Sequence, residues 1–315
     1  MCGRFFSKLN AQEIKESVTK MIKSIDTSTD RKIVDFNLNS YTSCKNISPG
    51  MKVPVILNSK DPGSKLCINM MTWGLIPSFH RTEEPLDHFK MFNCRSETMK
   101  TKKSFSKLVN DQRCIVLVDG YFEWKNESDG KQPYYIRSKI EFPLKLAGLY
   151  DTYDNVQTFT ILTANAIFPE IRGIHERQPV ILSDSQAFLW LNGTDPEYIL
   201  NDVFDKDNID NIKLAVFPVD KKVNSVAYQG GIECITPLAI KKQKNLLSFY
   251  GSSSAVKRST DVVSQSRECP ICNKIFASDL YEDNSFNIHV NNCLDGISEE
   301  KFHMEDSNPN KKKKI

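Results

Sequence analysis

Residues 114–124 read CIVLVDGYFEW, and this stretch decides the fold. Its first part, Cys114–Val118, is a short continuous apolar run, which is typical of a strand buried on both faces. The second part places one carboxylate, Glu123, among aromatic side chains. A carboxylate in such surroundings should be desolvated, which raises its pKa and suits it to proton transfer near neutral pH. A structural role, in which Glu123 pairs with a cation, explains the pattern equally well.

Apolar runs on both sides of this stretch alternate with turn residues and predict further strands. These runs are Val53–Leu57, Leu66–Met71, Tyr134–Arg137, Leu144–Leu149, Phe159–Leu162, Val180–Leu182 and Leu214–Phe217. Helical spacing of apolar residues predicts three helices, at Ala11–Ile25, Ser185–Leu191 and Pro196–Val203. Because regular βαβ units are missing, the pattern predicts a strand-rich α+β fold.

The composition limits the class of protein. With 315 residues, 40% of them hydrophobic, the chain can form one large domain with appendages, or two domains. The formal net charge is only +3, so any contact with DNA must come from a local patch. No run approaches the roughly 20 apolar residues that span a bilayer, so we expect no membrane partner. Nine cysteines without a secretory signal indicate a reducing compartment, where cysteines are core residues, metal ligands or nucleophiles.

The second residue is a cysteine, and this position offers a chemistry that internal cysteines lack. Initiator methionine is usually removed before a small residue, which would leave Cys2 with a free α-amine beside its thiol. The amine can condense with an aldehyde to an imine, and the thiol can then close a five-membered thiazolidine. Because one residue carries both nucleophiles, the second step is intramolecular. Judged by position alone, Cys2 is more simply an ordinary residue near a frayed terminus.

Two further segments combine polar groups with neighbouring apolar runs. The segment NCRSET (93–98) places a cation and a carboxylate in one short loop, and GIHERQP (173–179) places His175 two residues before Arg177. For each segment a structural role is at least as plausible as a functional one. In particular, Arg95 could pair with Glu97, and His175 could be a satisfied core histidine.

Taken together and in chain order, MCGR, KNISP, MTWGLIPS, NCRSET, DGYFEW and GIHERQPVIL resemble the SRAP (SOS-response-associated peptidase) family. The resemblance covers about residues 2–240 and implies a single α+β domain built around a barrel-like sheet. The tail of the chain is similar to that of the eukaryotic, abasic-site-shielding branch of the family. Two departures concern the shape of the pocket and remove no reactive group: Gln178 stands where the family commonly has Met, and Lys45 where it often has Tyr.

The resemblance also implies a chemistry. The N-terminal cysteine of this family forms a thiazolidine with the ring-opened sugar aldehyde of an abasic site, and the domain needs no cofactor. The four residues implied in the chemistry are Cys2 as nucleophile, Asn46 orienting the adduct near the terminal amine, Glu123 as acid and base, and His175 assisting proton transfer. The DNA contacts implied are phosphate contacts from Arg4, Asn93, Arg95 and Arg177, and an apolar wall that contains Trp73.

The C-terminal part begins with a candidate docking peptide. Residues 243–250, QKNLLSFY, match the PCNA-interacting pattern Q-x-x-h-x-x-a-a, in which Gln243 is a polar anchor. Leu246, Phe249 and Tyr250 would form the apolar face on one turn. The alternative is that this segment is a last amphipathic turn packed on the domain. Residues 251–267 are polar and Ser-rich, as in a flexible linker.

A Cys/His cluster follows the linker. The spacing C-x2-C and H-x3-C of Cys269, Cys272, His289 and Cys293 predicts a closed structural Zn²⁺ site in residues 268–295. The segment resembles ubiquitin-binding zinc fingers of DNA-repair proteins, but its internal gap is longer and Asn291 stands where many carry Asp. A DNA-contacting finger is the alternative. Residues 296–315 are expected to be a disordered basic tail, with Lys311–Lys314 as a nuclear localisation signal.

These features predict a nuclear DNA-damage response protein. It would sense abasic sites in single-stranded DNA at replication forks and shield them by a covalent crosslink through Cys2, a lyase-like chemistry. A PCNA-like sliding clamp and ubiquitin are the other expected partners. Two alternatives remain: a non-covalent reader of modified or single-stranded DNA, and a thiol autopeptidase that removes Met1. An adduct to abasic DNA that resists denaturant and requires a free Cys2 amine distinguishes them.

Overall fold

The computed structural model describes residues 2–23, 32–36, 38, 41–59, 64–140, 142–205 and 212–238, together with 267–268 and 275–276. The chain divides into two compact units, Met1–Thr236 and Pro237–Ile315. In the second unit, β14 (Arg267–Glu268) pairs antiparallel with β15 (Ile275–Phe276). No helix among the described residues has the length and apolar character needed to cross a bilayer.

The first unit is rich in strands. Its strands are β1 (Arg4–Phe6), β2 (Lys32–Phe36), β3 (Lys52–Asn58), β4 (Ser64–Trp73), β5 (Asn93–Arg95), β6 (Arg113–Val118), β7 (Gly120–Glu127), β8 (Gly130–Ser138), β9 (Leu144–Tyr153), β10 (Val156–Asn165), β11 (Arg177–Pro179), β12 (Ile181–Leu182) and β13 (Leu214–Pro218). Its α-helices are α1 (Ala11–Lys23), α2 (Leu108–Asp111), α3 (Pro169–Arg172), α4 (Asp184–Leu191) and α5 (Pro196–Val203).

Five of these strands close into a barrel. The antiparallel pairs β4–β3, β3–β6, β6–β9 and β9–β10 follow one another, and β10 returns to β4 as a parallel neighbour at Phe159↔Trp73. Closure leaves these strands without a free edge. All six positions of β6 are buried, as expected for the apolar run 114–118. The predicted α+β fold with a barrel-like sheet is therefore confirmed.

A second sheet, in the order β1-β7-β8-β13, carries the amino-terminal strand. Strand β1 pairs antiparallel with β7, so that Arg4 lies opposite Phe122 and Phe5 opposite Tyr121. Phe5 also exchanges two backbone hydrogen bonds with Ile47, of 3.1 and 2.8 Å. Because β1 is paired on both sides, the residues just before it are held against the protein rather than frayed.

The core forms two clusters of buried side chains. One joins the helices to the barrel and includes Ile14, Val18, Met21 and Ile22, which are the buried residues of α1. The other lies where residues of the barrel and of the second sheet meet, and we call it the inter-sheet cluster; it includes Cys2, Phe5, Trp73, Val116, Tyr121 and Phe159.

The sequence-based elements agree with the structure wherever apolar periodicity was strong. The predicted strands overlap β3, β4, β6, β8, β9, β10, β12 and β13, and α5 has its predicted limits. Helix α1 is described to Lys23, and its predicted last residues lie outside the described part of the chain. Strands β1, β2, β5, β7 and β11 of the first unit were not predicted. Their segments mix charged and apolar residues, so neither the two-residue period of a strand nor the 3.6-residue period of a helix stands out.

Candidate active site around Cys2

Cys2 lies in the inter-sheet cluster and is fully buried. The side-chain amide of Asn93, the first residue of β5, donates a 2.8 Å hydrogen bond to the backbone carbonyl of Cys2. The thiol faces the carbonyl of Arg4 at a sulfur–oxygen distance of 4.0 Å. Burial and the negative charge of Glu123 raise the pKa of the Cys2 thiol well above its usual value. The sulfur is therefore protonated at neutral pH and needs a proton acceptor before it can act as a nucleophile.

Glu123 lies on β7 and is 1% exposed. Burial raises the pKa of its carboxyl to about 7, although the positive charge and a hydrogen bond from the chain's terminal amine pull it downward. A carboxyl with a pKa near 7 can both give and take a proton at physiological pH. The predictions that Glu123 is desolvated and that its pKa is raised are confirmed, whereas its role in proton transfer stays a prediction.

His175 follows α3 and is half-buried. Its Nδ1 accepts a 2.9 Å hydrogen bond from the backbone N–H of Arg177, so the neutral ring carries its proton on Nε2. Burial and the charge of the terminal amine lower the pKa of His175. The terminal amine that acts on the pKa of both Glu123 and His175 is that of Met1, and the α-amine of Cys2 takes the terminal position only once Met1 is removed.

Two asparagines were singled out by sequence, and the structure gives them different surroundings. Asn46 accepts a 2.9 Å hydrogen bond from Arg4 and donates to the carbonyls of Ser225 and Tyr228 at 3.0 and 2.9 Å. These contacts tie β1 to the segment that ends the first unit. Asn93 is the asparagine whose side chain contacts Cys2. A role for Asn46 in orienting an adduct stays a prediction.

The three predicted phosphate-binding arginines differ in exposure. Arg4 is buried, donates to Asn46 and to the carbonyl of Val223, and lies 5.6 Å from the ring centroid of Trp124. Arg95 is exposed at the end of β5. The backbone and Asn46 therefore already use much of the Arg4 guanidinium, whereas Arg95 is open to an incoming anion.

Arg177 is buried and held by several protein groups. It forms a two-pronged ion pair with Glu97, of 2.6 and 3.0 Å, and also donates to Asn165 and to the carbonyl of Thr163. Glu97 thus pairs with Arg177, from the GIHERQP segment, rather than with its sequence neighbour Arg95. A phosphate would have to compete with these acceptors for the guanidinium of Arg177.

Trp73 is fully buried, with its ring centroid 4.5 Å from that of Phe5 and its Nε1 donating to the carbonyl of Phe92. The ring of Trp73 therefore packs inside the inter-sheet cluster and offers no exposed face on which a base could stack, and its role as an apolar wall under DNA stays a prediction. Gly74 then turns the chain at φ 106°, where a Cβ would lie 2.1 Å from the carbonyl oxygen of His88. Only glycine fits this close approach.

The loop after Gly74 contains aromatic residues that the motif reasoning missed. Phe79 and Phe89 are 50% and 60% exposed, and Lys103 lies 4.7 Å from the ring centroid of Phe79. Exposed aromatics beside cations are typical of surfaces that bind single-stranded nucleic acid. The signal in the sequence was two phenylalanines in an otherwise polar and charged stretch, SFHRTEEPLDHFK.

The C-terminal predictions fall outside the described residues. This holds for the predicted zinc ligands Cys269, Cys272, His289 and Cys293, for residues 243–250 and for Lys311–Lys314. Within the described part of the chain, no group of three or more His, Cys, Asp or Glu side chains is placed to hold a metal ion. Zinc, the sliding clamp, ubiquitin and a nuclear address stay predictions.

Solved structures similar to this chain support its fold. The solved structure of a protein from Bacteroides thetaiotaomicron has a TM-score of 0.58 at 22% identity and covers 76% of this chain and 100% of its own. A phage-related protein from Bordetella bronchiseptica has a TM-score of 0.51 at 21% identity and covers 73% and 100%. At such identities these structures support the fold alone.

Sequence relatives carry more information. The "Abasic site processing protein YoaM" of Bacillus subtilis is 30% identical over 234 residues, which are 71% of this chain and 93% of the relative. The "Abasic site processing protein HMCES" of Gallus gallus is 28% identical over 293 residues, which are 81% and 83% of the two chains. A profile of the SOS response associated peptidases matches residues 1–226. The chain therefore belongs to the SRAP family.

Proposed function

We propose that this protein acts on abasic sites in DNA and that Cys2 joins the open sugar in a thiazolidine crosslink. The observation that carries the proposal is the fully buried thiol of Cys2, held by the Asn93 contact in the inter-sheet cluster, beside the carboxyl of Glu123, whose charge acts on the sulfur and whose pKa is about 7. A thiol and an amine at one residue, next to a carboxyl that titrates near pH 7, suit aldehyde chemistry. The abasic sugar supplies such an aldehyde, and relatives of this chain are named for processing that lesion.

The first steps open the sugar and form an imine. Protonated Glu123 donates its proton to the ring oxygen of the sugar hemiacetal while the anomeric hydroxyl releases its proton to water, and the ring opens to the aldehyde. After removal of the preceding residue, the α-amine of Cys2 attacks the aldehyde carbon, a C–N bond forms and water leaves. The neutral His175 ring, with a proton on Nε2, is suited to assist transfer to the departing oxygen.

Ring closure completes the adduct. The sulfur of Cys2 attacks the imine carbon, a C–S bond forms, and the electron pair of the C=N bond moves to nitrogen. The thiol gives up its proton and the nitrogen takes one from water, which received a proton when the sugar ring opened, so the protons balance and no oxidant or reductant is needed. Glu123 has lost its proton in ring opening, and its carboxylate can accept the thiol proton because its pKa is about 7.

DNA would be held by contacts beside this pocket. Phe79 and Phe89 provide exposed faces on which bases can stack, and this binding is tolerant of sequence. Arg95 offers an exposed guanidinium for a phosphate, on the same short strand as Asn93. A local patch of this kind is consistent with a net charge of only +3.

The decisive experiment is crosslinking to single-stranded DNA that contains an abasic site. Wild-type protein should give an adduct that survives heat and denaturant, and Cys2→Ala should give none. Cys2→Ser keeps the amine and should give only an imine that borohydride can trap. Cys44→Ala removes another thiol, which is half-buried and donates a hydrogen bond to Gln229; it is the matched control and should behave as wild type. A stable adduct from Cys2→Ala at the wild-type level would contradict the mechanism.

A second candidate activity is removal of Met1 by the same groups. It is favoured by the electrostatic effect of the chain's terminal amine, which belongs to Met1 before processing, on the pKa of the Glu123 carboxyl. Intact mass of purified wild type, Cys2→Ala and Glu123→Gln tests it. Retention of Met1 in both variants, with removal in wild type, would support autoproteolysis, and removal in all three would reject it.

The tail is proposed as a recruitment module. Cys269, Cys272, His289 and Cys293 would hold Zn²⁺, whose role is to stabilise a segment too short to fold by burial alone. Residues 243–250 would dock on a sliding clamp, and the Ser-rich linker would raise the local concentration of the SRAP domain along nearby single strand. A finger of this type would bind ubiquitin, and the terminal lysines would direct the protein to the nucleus.

A further inference from the structure

The hydroxyl of Tyr121 is an unusual group in the interior. Tyr121 is fully buried, and its hydroxyl finds no hydrogen-bond partner among the described residues. A buried polar atom without a partner destabilises the folded state, so such groups call for an explanation. The hydroxyl of a buried tyrosine usually finds a hydrogen-bond partner.

Tyr121 faces the candidate active site. It lies two residues before Glu123 on β7, and alternate residues of a strand point to the same face. Its partner across the sheet is Phe5, and both rings belong to the inter-sheet cluster together with Cys2. The charges of Glu123 and of Cys2 both act on the Tyr121 hydroxyl. The unpartnered donor is thus directed into the pocket that holds the thiol and the carboxyl.

The thiol of Cys2 lacks a strong partner of its own. Its hydrogen bond to the carbonyl of Arg4 is long, at 4.0 Å, and a carbonyl cannot stabilise a sulfur that becomes negative. During ring closure the sulfur loses its proton inside a buried site that already contains Glu123. A neutral donor such as a phenol would stabilise the developing thiolate without adding charge.

We propose that the Tyr121 hydroxyl donates a hydrogen bond to the sulfur of Cys2 in the ring-closing step. The proposal rests on the proposed function and adds a catalytic residue to it. The bond changes are those of ring closure, because Tyr121 keeps its own proton and only stabilises the thiolate that attacks the imine carbon. The hydroxyl is unpartnered in the resting protein because its partner forms only as the reaction proceeds.

The test compares Tyr121→Phe with Tyr135→Phe. Tyr135 is also fully buried with a hydroxyl that has no partner among the described residues, but it packs against Phe6, Phe122 and Phe217 on the other face of the sheet. Both variants lose one orphaned hydroxyl, so both should keep or raise their melting temperature. Single-turnover assays would measure two products on abasic single-stranded DNA: the imine trapped by borohydride, and the heat-stable adduct formed without it.

Tyr121→Phe should form the trapped imine at the wild-type rate and the heat-stable adduct about 10- to 100-fold more slowly, as expected for one hydrogen bond to a charged group. Tyr135→Phe should match wild type in both products. A heat-stable adduct from Tyr121→Phe at the wild-type rate would overturn this inference and leave the proposed function intact. Equal slowing of imine and adduct would also overturn it. Absence of any adduct from wild type would overturn both.

Discussion

Arg177 and Glu97 form a two-pronged ion pair, with nitrogen–oxygen distances of 2.6 and 3.0 Å, that joins β11 to the loop after β5. The side chain of Arg177 is 6% exposed and that of Glu97 is 45% exposed. Asn165 and Thr163 also accept hydrogen bonds from the guanidinium. Arg177 therefore stabilises the packing of β11 and β10 against the loop after β5 in the resting protein. Arg95, which is exposed, is the arginine of this region that is open to DNA.

This contrast predicts different phenotypes for two arginine substitutions. Arg95→Ala should weaken binding to single-stranded DNA of any sequence and reduce the slope of log affinity against log salt by roughly one. It should leave the melting temperature unchanged. Arg177→Ala should destabilise the fold by about 2–3 kcal/mol, because buried acceptors lose a charged donor. Thermal melts and salt titrations check both, and a reversed pattern would show that Arg177, not Arg95, contacts phosphate.

The carboxyl of Glu123 should make stability depend on pH. Its pKa in the folded protein is about 7, above the ordinary 4.5, so the folded state favours the protonated form. The contribution of Glu123 to the free energy of unfolding is therefore fully present below pH 4.5 and is lost as the pH rises through 7. The difference between the two pKa values corresponds to about 3 kcal/mol of unfolding free energy.

Glu123→Gln removes that titration. The melting temperature of the variant relative to wild type should rise between pH 5 and pH 8.5, since only wild type must bury a charge or retain a proton at high pH. Single-turnover crosslinking by the variant should fall roughly 10²- to 10⁴-fold, with affinity for an unreactive abasic analogue nearly unchanged. A difference in melting temperature that is flat with pH would contradict the raised pKa.

The exposed aromatics should bind bases. Phe79→Ala combined with Phe89→Ala should lower affinity for single-stranded DNA by about 1–3 kcal/mol for each lost stack. The crosslinking rate at saturating DNA should stay near that of wild type, because neither ring lies in the buried pocket. Tyr198→Ala is the control, since Tyr198 is an equally exposed aromatic (61%) on α5. Equal losses for the control would mean that exposed aromatic surface in general, rather than this loop, holds the strand.

The tail should be separable from the chemistry. Phe249→Ala with Tyr250→Ala should abolish binding to a sliding clamp and leave crosslinking in vitro intact. Cys269→Ser should lower the zinc content of the purified protein, whereas Cys44→Ser should keep it. If the double aromatic variant lowered the main melting transition by several degrees, residues 243–250 would be a packed element of the SRAP domain and the docking proposal would fail.

Local pattern in the sequence was sufficient for much of the architecture. The buried strand 114–118 and the apolar stripe of α1 follow from spacing, because burial on a strand or helix face imposes a period that the chain itself displays. The elevated pKa of Glu123 was also accessible, since the aromatic neighbours of this residue along the chain are a local feature.

Tertiary structure alone decided which distant residues meet. The pairing of Glu97 with Arg177 rather than Arg95 depends on β5 and β11 both lying beside β10, at Thr163↔Arg95 and Asn165↔Arg177. The contact of Asn93 with Cys2, the burial of Trp73 and the exposure of Phe79 and Phe89 likewise depend on how the barrel closes. Such contacts join residues far apart along the chain, and a one-dimensional period carries no information on which strands become neighbours.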